Sequence, residues 1–333
     1  MVKIAVFFGG KISKHLVLVR EAARKMEVDL DLVSYNNVCF ETETGKISLR
    51  GKEASDYDVL FFRTTGKHWE EVDLIINSIT TPKASHLGGQ RPVVVDPLVE
   101  LGKPSYACKA WQMLKLKEAN IEVPKSIYGS LWYLYERMAG QDRQSIFLGA
   151  HTCVSHAPAA LQKNTIAAPF NFPVILKGSG GDRGTRVFKA NNLEELEKLV
   201  RDLRKSETEE GRRYMLQEYI ENDGDFRVLV LGEKVLGVMK RARTAKDEFR
   251  NNYSAGGTVE VADLPEKVKE LAVRAAKVCG LSVAGVDVAF RDFDMNKPVI
   301  WEVNKGPQFK GFMKATGIDV PMEIVKYLVS LKK

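Results

Sequence analysis

The sequence predicts an α/β protein that begins with a helix-wrapped parallel sheet and continues into a β-rich second half. Two observations carry that prediction. Over the first hundred residues, short apolar runs alternate with helix-patterned runs, as crossover-connected parallel strands require. After residue 171 the apolar runs follow one another closely across short Gly- and Asp-bearing turns, with fewer helices. A chain of 333 residues has length for two or three domains.

The elements follow in order. VKIAVFF (2–8) is a strand entering a Gly turn, HLVLVREAARKM a helix and DLDLVSY a second strand. DYDVLFFRT (56–64), EEVDLIINSI and RPVVVDP repeat the strand, helix, strand order. The first loop, FFGGKIS, lacks the GxGxxG fingerprint, so no nicotinamide site is assigned. Near Gly102–Pro104 the pattern changes. SYACKAWQMLKLKEANI reads as one helix with Ser105 as N-cap, and EVPKSIY opens a new module. Residues 130–171 turn from aromatic to polar and Ala-rich, without one period. Then come FPVILKGSGGDRGTRVFKA, the helix NLEELEKLVRDLRK, the strands YMLQEYI, DFRVLVLG and KVLGVMKRAR, and the helix PEKVKELAVRAAKVCG before a last strand pair.

Composition excludes several classes. No apolar run approaches the roughly 18 residues of a membrane span, and MVKIAVFFGG turns polar too soon for a signal peptide. Cys39, Cys108, Cys153 and Cys279 are scattered without a CxxC pair, which argues against a disulfide framework or zinc ribbon and fits a reducing cytoplasm. In HTCVSH (151–156) two histidines flank Cys153, at a spacing that matches no zinc pattern. The net charge of +7 is spread along the chain. A solvated surface explains it, an anionic ligand such as a nucleotide is the functional reading, and nucleic acid is disfavoured. Trp132, Tyr133 and Tyr135 read as local core before they read as a stacking surface.

The last strand pair carries the chemistry. In PVIWEVN, period two places Glu302 and Asn304 on one face with Ile300, and Val299, Trp301 and Val303 on the other. Taking Asp292–Lys297 as the turn sets Arg291 opposite Pro298 and Asp287 opposite Glu302. Two opposed carboxylates repel, so a positive group belongs between them. Three oxygen donors without sulfur or imidazole suit Mg²⁺ or Mn²⁺ completed by substrate phosphates. Pairing with Arg291 or Lys305, or a solvated polar face, is the competing explanation. Upstream, VILKGSGGDRGTRVFK ends an apolar strand at Lys177 and continues through Gly180 and Gly181. Glycines there let backbone N–H groups approach phosphate oxygens beside a lysine charge. An ordinary Gly-rich hairpin is the bland alternative.

Taken together, CKAWQMLKLKEANIEVP, PVILKGSGGDRGTRV, LQEYI, GDFRVLVLG, FRNNYSAGG, AGVDVAF and WEVNKGPQFKGFMKATGIDV resemble the ATP-grasp superfamily, in its RimK-like branch of glutamate ligases. The resemblance covers residues 100–333 well and the first hundred as a generic Rossmann-like pre-ATP-grasp domain. It implies three regions: a pre-ATP-grasp domain over 1–100, a lid subdomain over 101–212 with 130–171 as an insertion, and a C-terminal antiparallel subdomain over 213–333. It further implies an ATP-dependent carboxylate–amine ligase. The two substrates, one carboxylate and one amine, would include an amino acid such as glutamate added to a peptide, protein or small acceptor, with two Mg²⁺ or Mn²⁺ ions. Homo-oligomers are common among such enzymes, and the basic balance suits an acidic acceptor. A phosphotransferase, or a nucleotide- or nucleic-acid-binding module without turnover, remains the alternative on the same scaffold.

By the same resemblance, Lys109 and Lys177 contact phosphates, as do Gly180 and Gly181. Glu218, Tyr219 and Ile220 form the adenine hinge, and Asp225 lies near the ribose. Asp287, Glu302 and Asn304 ligate metal, while Arg241, Arg250 and Asn252 surround the γ-phosphate and the reacting carboxylate. The chain departs from the branch pattern in a longer 124–177 segment and in Lys305 and Gly306, where a small residue and a serine are common.

Overall fold

The computed structural model describes residues 1–80, 91–101, 108–140, 167–179, 186–242 and 258–332. Strands β1 (Lys3–Phe8), β2 (Asp29–Ser34), β3 (Val38–Glu41), β4 (Lys46–Leu49), β5 (Val59–Phe62) and β6 (Val93–Val95) are interleaved with helices α1 (Lys14–Lys25) and α2 (Trp69–Thr80). Next come α3 (Lys109–Glu118), β7 (Ser126–Gly129), α4 (Leu131–Met138), β8 (Val174–Gly178), β9 (Val187–Ala190), α5 (Leu193–Thr208) and β10 (Tyr214–Glu218). The chain continues through β11 (Gly224–Leu231), β12 (Lys234–Ala242), β13 (Thr258–Ala262), α6 (Glu266–Val278), β14 (Val283–Phe290), β15 (Pro298–Lys305), α7 (Lys310–Thr316) and α8 (Val320–Ser330). No helix among the described residues is long and apolar enough to cross a membrane.

Contacts group the chain into two compact units, Met1–Val123 with Asn222–Lys333, and Pro124–Glu221. The cuts fall at 124 and 222, against sequence borders at 101 and 213.

The first unit holds two sheets. One is parallel, in the order β2-β1-β5-β6. Its central strands are apolar on both faces, as a sheet covered on both sides demands. Ile4, Val6 and Phe8 pack with α1 and α8, whereas Ala5 and Phe7 pack with Leu60, Phe62 and α2. The β3–β4 hairpin was not anticipated; it is a short two-stranded ribbon. The second sheet is antiparallel, β13-β12-β11-β14-β15. Leu229, Met239 and Val283 on its strands join the Phe309, Phe312 and Ile324 cluster of the C-terminal helices. The helix expected from Ser105 starts at Lys109, where Cys108 Sγ accepts the Trp111 N–H. Ser105 lies outside the described residues. At the C-terminus, Gly317 ends α7 in the left-handed conformation and Asp319 caps α8 by accepting the Met322 N–H, as the A-T-G-I-D-V pattern predicts.

The second unit is one sheet, β7-β10-β8-β9, with α4 and α5 on one face. YMLQE extends this sheet by pairing with β8 and β7, so it is separate from the C-terminal sheet to which the sequence borders join it. Leu131, Leu134 and Met138 are buried in the core of this unit. The start of the 130–171 segment is therefore structural, because that i, i+3, i+7 spacing gives α4 an apolar stripe.

Candidate active site

Strand pairing within the first unit settles the carboxylate geometry. Asp287 stands directly opposite Glu302, and Gly285 opposite Asn304. The turn is one residue off the sequence expectation, for Phe290 rather than Arg291 faces Pro298. A bulge restores the register: Val288 pairs with Ile300 and Asp287 with Glu302, which leaves Trp301 as the extra residue. Ile300 consequently leaves the face of Glu302, correcting the simple alternation, and its N–H donates to Glu122 O at 2.9 Å.

The positive groups beside these carboxylates are not the expected ones. Arg291 pairs with Glu122 at 3.2 Å, and the Lys305 ammonium lies 5.8 Å from the centre of the Trp69 ring. Asp287 is instead gripped by Arg227 from β11, through Nε to Oδ1 and Nη2 to Oδ2, both at 2.7 Å. Arg241 from β12 reaches Asp287 Oδ2 at 3.0 Å and also pairs with Asp225. Glu302 is paired with Lys109, at the first turn of α3. These placements follow from the ladder, because Arg227 is the β11 partner of Asp287 and Arg241 is the β12 partner of Asp225.

Burial alone would raise the Asp287 carboxyl, but Arg227 and Arg241 hold it down at about 2. Burial works against the charge of Arg241 too, and Asp287 and Asp225 overcome it, so the guanidinium stays protonated. Asp225 shares the Arg241 guanidinium with Asp287 and has no second guanidinium at bonding distance among the described residues, so burial raises its carboxyl. Asp225 is completely buried. Its carboxylate orients Arg241.

Asn304 donates from Nδ2 to Gly285 O at 3.2 Å and to Asp287 Oδ2 at 3.1 Å. With the amide nitrogen engaged on protein oxygens, Oδ1 is the atom Asn304 has to offer a cation. The donor set of ionised Asp287, Glu302 and the Asn304 amide is all oxygen and fits Mg²⁺ or Mn²⁺. Among the described residues no group of three or more His, Cys, Asp or Glu is placed to hold a metal. Two carboxylates and an amide fit an ion whose shell is completed by phosphate oxygens, rather than an all-protein cage.

Beyond Asn304 the backbone turns sharply. Gly306 has φ +60°, and a Cβ there would stand 2.3 Å from Arg63 O. Only glycine fits, which explains why the common serine is missing. Gly306→Ala is expected to cost about 2–4 kcal/mol of stability, from left-handed strain plus the backbone clash. A urea midpoint equal to wild type would contradict the close approach.

In the second unit, Lys177 projects from β8 opposite Met215 and Val187. Ladder partners share a face, which places Lys177 with Ile175, Lys189 and Gln217, away from Leu176 and Leu216 in the core packed on α4 and α5. The Glu218 and Tyr219 N–H groups donate to Lys125 O at 2.9 Å and Pro173 O at 3.3 Å. Ile220 is buried, and Lys189 Nζ stands 4.3 Å from the Tyr219 ring centre. Gly180, Gly181, Arg250, Asn252 and the HTCVSH segment lie outside the described residues. The structure thus brings together Lys109, Asp225, Arg241, Asp287, Glu302 and Asn304 in one unit and places Lys177 and Glu218–Ile220 in the other. Sequence reasoning missed Arg227. The signal was present, since Arg227 lies two residues from Asp225 and therefore shares its strand face.

The family model of a RimK-like ATP-grasp domain matches residues 143–328. The chain belongs to the RimK-like ATP-grasp family. A relative in Syntrophotalea carbinolica, a probable alpha-L-glutamate ligase, is 34% identical over 181 residues, covering 54% of this chain and 57% of that one. The chain spans little more than half the length of the curated relatives it matches. Among solved structures, the ATP-grasp ligase PsnB, complexed with a phosphomimetic variant of a minimal precursor, Mg and ADP, superposes with a TM-score of 0.65 at 18% identity, covering 100% of this chain and 99% of that one. A RimK domain ATP-grasp protein from Sphaerobacter thermophilus gives 0.64 at 17% identity, over 98% and 99%. At these identities the likeness is one of fold, and the RimK-like protein described here has the ATP-grasp fold that its motifs predict.

Proposed function

We propose that this RimK-like ATP-grasp protein is an ATP-dependent carboxylate–amine ligase, with an amino acid such as glutamate as the amine substrate and a peptide, protein or small acceptor as the carboxylate. The observation that supports it most is the Asp287–Glu302 pair, two opposed carboxylates with Arg241 bonded to one and Lys109 to the other. The relatives named alpha-L-glutamate ligase make glutamate the first amine to test.

The reaction balances as two displacements. An acceptor carboxylate oxygen attacks the γ-phosphorus of ATP, and the bond to ADP breaks, giving an acyl phosphate. The amine nitrogen then attacks the acyl carbon, phosphate departs with the bonding pair, and the nitrogen loses a proton. The protein orients the partners and neutralises charge. Asp287, Glu302 and Asn304 would hold Mg²⁺ or Mn²⁺, two ions on the family pattern, and the metal would supply neutralisation of phosphate charge. Arg241, fixed by Asp225, stabilises the transferring phosphoryl group, and Arg250 and Asn252 are assigned beside it. Lys109, Lys177, Gly180 and Gly181 are assigned to phosphates, and Glu218, Tyr219 and Ile220 to adenine.

The test is ADP release over a panel of amino acids and peptides, with products read by mass spectrometry. The expected result is ADP release that needs both a carboxylate and an amine, and hydroxamate formation when hydroxylamine replaces the amine. A stable phosphorylated product would indicate a phosphotransferase instead. Nucleotide binding without ADP formation across the panel would indicate a binding module.

A further inference from the structure

Three charged groups of the first unit are buried without, among the described residues, the partners their chemistry calls for. Arg63 follows β5 directly and is 4% exposed; its Nη2 donates to Pro307 O at 2.8 Å, and Nη1 has no hydrogen-bond partner among the described residues. Lys305, next to Asn304, has a buried Nζ without a hydrogen-bond partner among the described residues, over the Trp69 ring. Asp96 follows β6 and is fully buried; its Oδ1 accepts the Ser282 and Val283 N–H groups at 2.8 and 3.2 Å, while Oδ2 has no hydrogen-bond partner among the described residues. The charges of Lys305 and Arg63 both act on the Asp96 carboxyl, two cations against one acid. A buried cation with open donors is costly unless an anion fills it.

The place is as informative as the charge. Arg63 and Asp96 stand at the carboxyl ends of strands β5 and β6 in an open parallel sheet, where such sheets hold ligands. Thr64, beside Arg63, is exposed. It is also chained to the metal-ligating strand: Asn304, Lys305, Gly306 and Pro307 are consecutive, and Gly306 and Pro307 pack on Arg63.

We propose that Arg63 and Lys305, backed by Asp96, form a carboxylate-binding subsite for the α-carboxylate of the amino-acid substrate, the group that does not react. This rests on the ligase reading. A planar guanidinium suits a carboxylate, and the ammonium supplies a second donor. Asp96 offsets part of their positive charge. The phosphate of a nucleotide shares this anionic chemistry, so the test separates the two sources.

Lys305→Met and Arg63→Lys are compared with wild type in two assays. In the first, KM is measured for the amino acid and for ATP, with the best substrate of a panel of twenty L-amino acids and its α-amide. The expected result is a rise in amino-acid KM of about 10- to 100-fold in Lys305→Met, the size of one charged hydrogen bond, with ATP KM unchanged. The α-amide should be a poor substrate for wild type and lose little further in the variant. In the second, thermal stabilisation by each panel compound is read with a non-hydrolysable ATP analogue and Mg²⁺ bound. An amino acid that stabilises wild type more than its α-amide does, and loses that advantage in Lys305→Met, supports the subsite. This holds even if no ADP is released, an outcome that sinks the ligase reading alone. A raised ATP KM with unchanged amino-acid KM would reassign the cations to phosphate. Unchanged values in both, or no carboxylate-dependent stabilisation of wild type, would make the cluster structural and overturn the proposal. Arg63→Lys checks geometry, since it keeps the charge and loses the planar fork; a wild-type KM there counts against the guanidinium contact.

Discussion

Asp287→Asn is expected to lower ATP turnover by at least about 10²–10³-fold, the loss typical of removing one group that stabilises transition-state charge. It should also destabilise the fold. Arg241 would keep Asp225, while the half-buried Arg227 would lose its carboxylate partner among the described residues. Breaking a buried ion pair by removing one partner costs about 3–5 kcal/mol, and the asparagine oxygen, which still accepts from Arg227, places the cost near the lower end. Glu302→Gln gives the contrast. Lys109 and Glu302 are each partly exposed, at 17% and 29% of their side chains. Losing that pair should cost under about 1 kcal/mol, since solvent screens it, while turnover falls comparably. Urea midpoints and ADP release on the two variants separate a structural from a functional carboxylate. Turnover near wild type in both, at saturating Mg²⁺, would remove the metal-holding role.

A second large effect belongs to Arg227, which makes no contact with substrate in the proposed mechanism. Arg227→Met should cost about 3–5 kcal/mol at neutral pH, because Asp287 keeps its charge and loses its bidentate partner. The acid limb carries a distinct signature. Asp287 lies at about 2 in the folded protein against an ordinary 3.8. The depression is worth about 2–3 kcal/mol, fully present above pH 3.8 and lost as pH falls through 2. Without Arg227 the carboxyl moves back up, so metal-free variant protein should begin to lose stability at a higher pH than wild type. Added Mg²⁺ with ADP should recover part of the loss by replacing the missing positive charge. An acid limb that coincides with wild type would show that Arg227 does not set the acidity of Asp287.

Much of the fold was legible because local pattern and global architecture agree. Strands β1 and β5 are apolar at consecutive positions, which a sheet covered on both faces requires, and the chain between them has the helical period. The opposition of Asp287 and Glu302 was legible for a less secure reason. The turn was placed one residue out, and the bulge at Trp301 cancels the error. Bulges leave little trace in a single sequence, so the placement of Ile300 was wrong while that of the carboxylates was right. The charge partners were hidden by distance along the chain. Lys109 and Glu302 are 193 residues apart, Arg227 and Asp287 are 60 apart, and strand order decides which of them meet. Arg63, Asp96 and Lys305 were hidden in the same way, since none of them breaks the local pattern in which it sits. Strand β10 was misassigned because an apolar run states that it pairs, and not with what.

The single extra residue at Trp301 divides the final hairpin into two mechanical halves. Outward of it, the Arg291–Lys297 loop and the Val288–Ile300 rung keep one phase, pinned to Glu122. Inward of it, the acidic rung keeps another, pinned to the arginines of β11 and β12. The tip of the hairpin can therefore change length in evolution or by engineering while the paired acids stay in step, and the slack is taken up at one tryptophan.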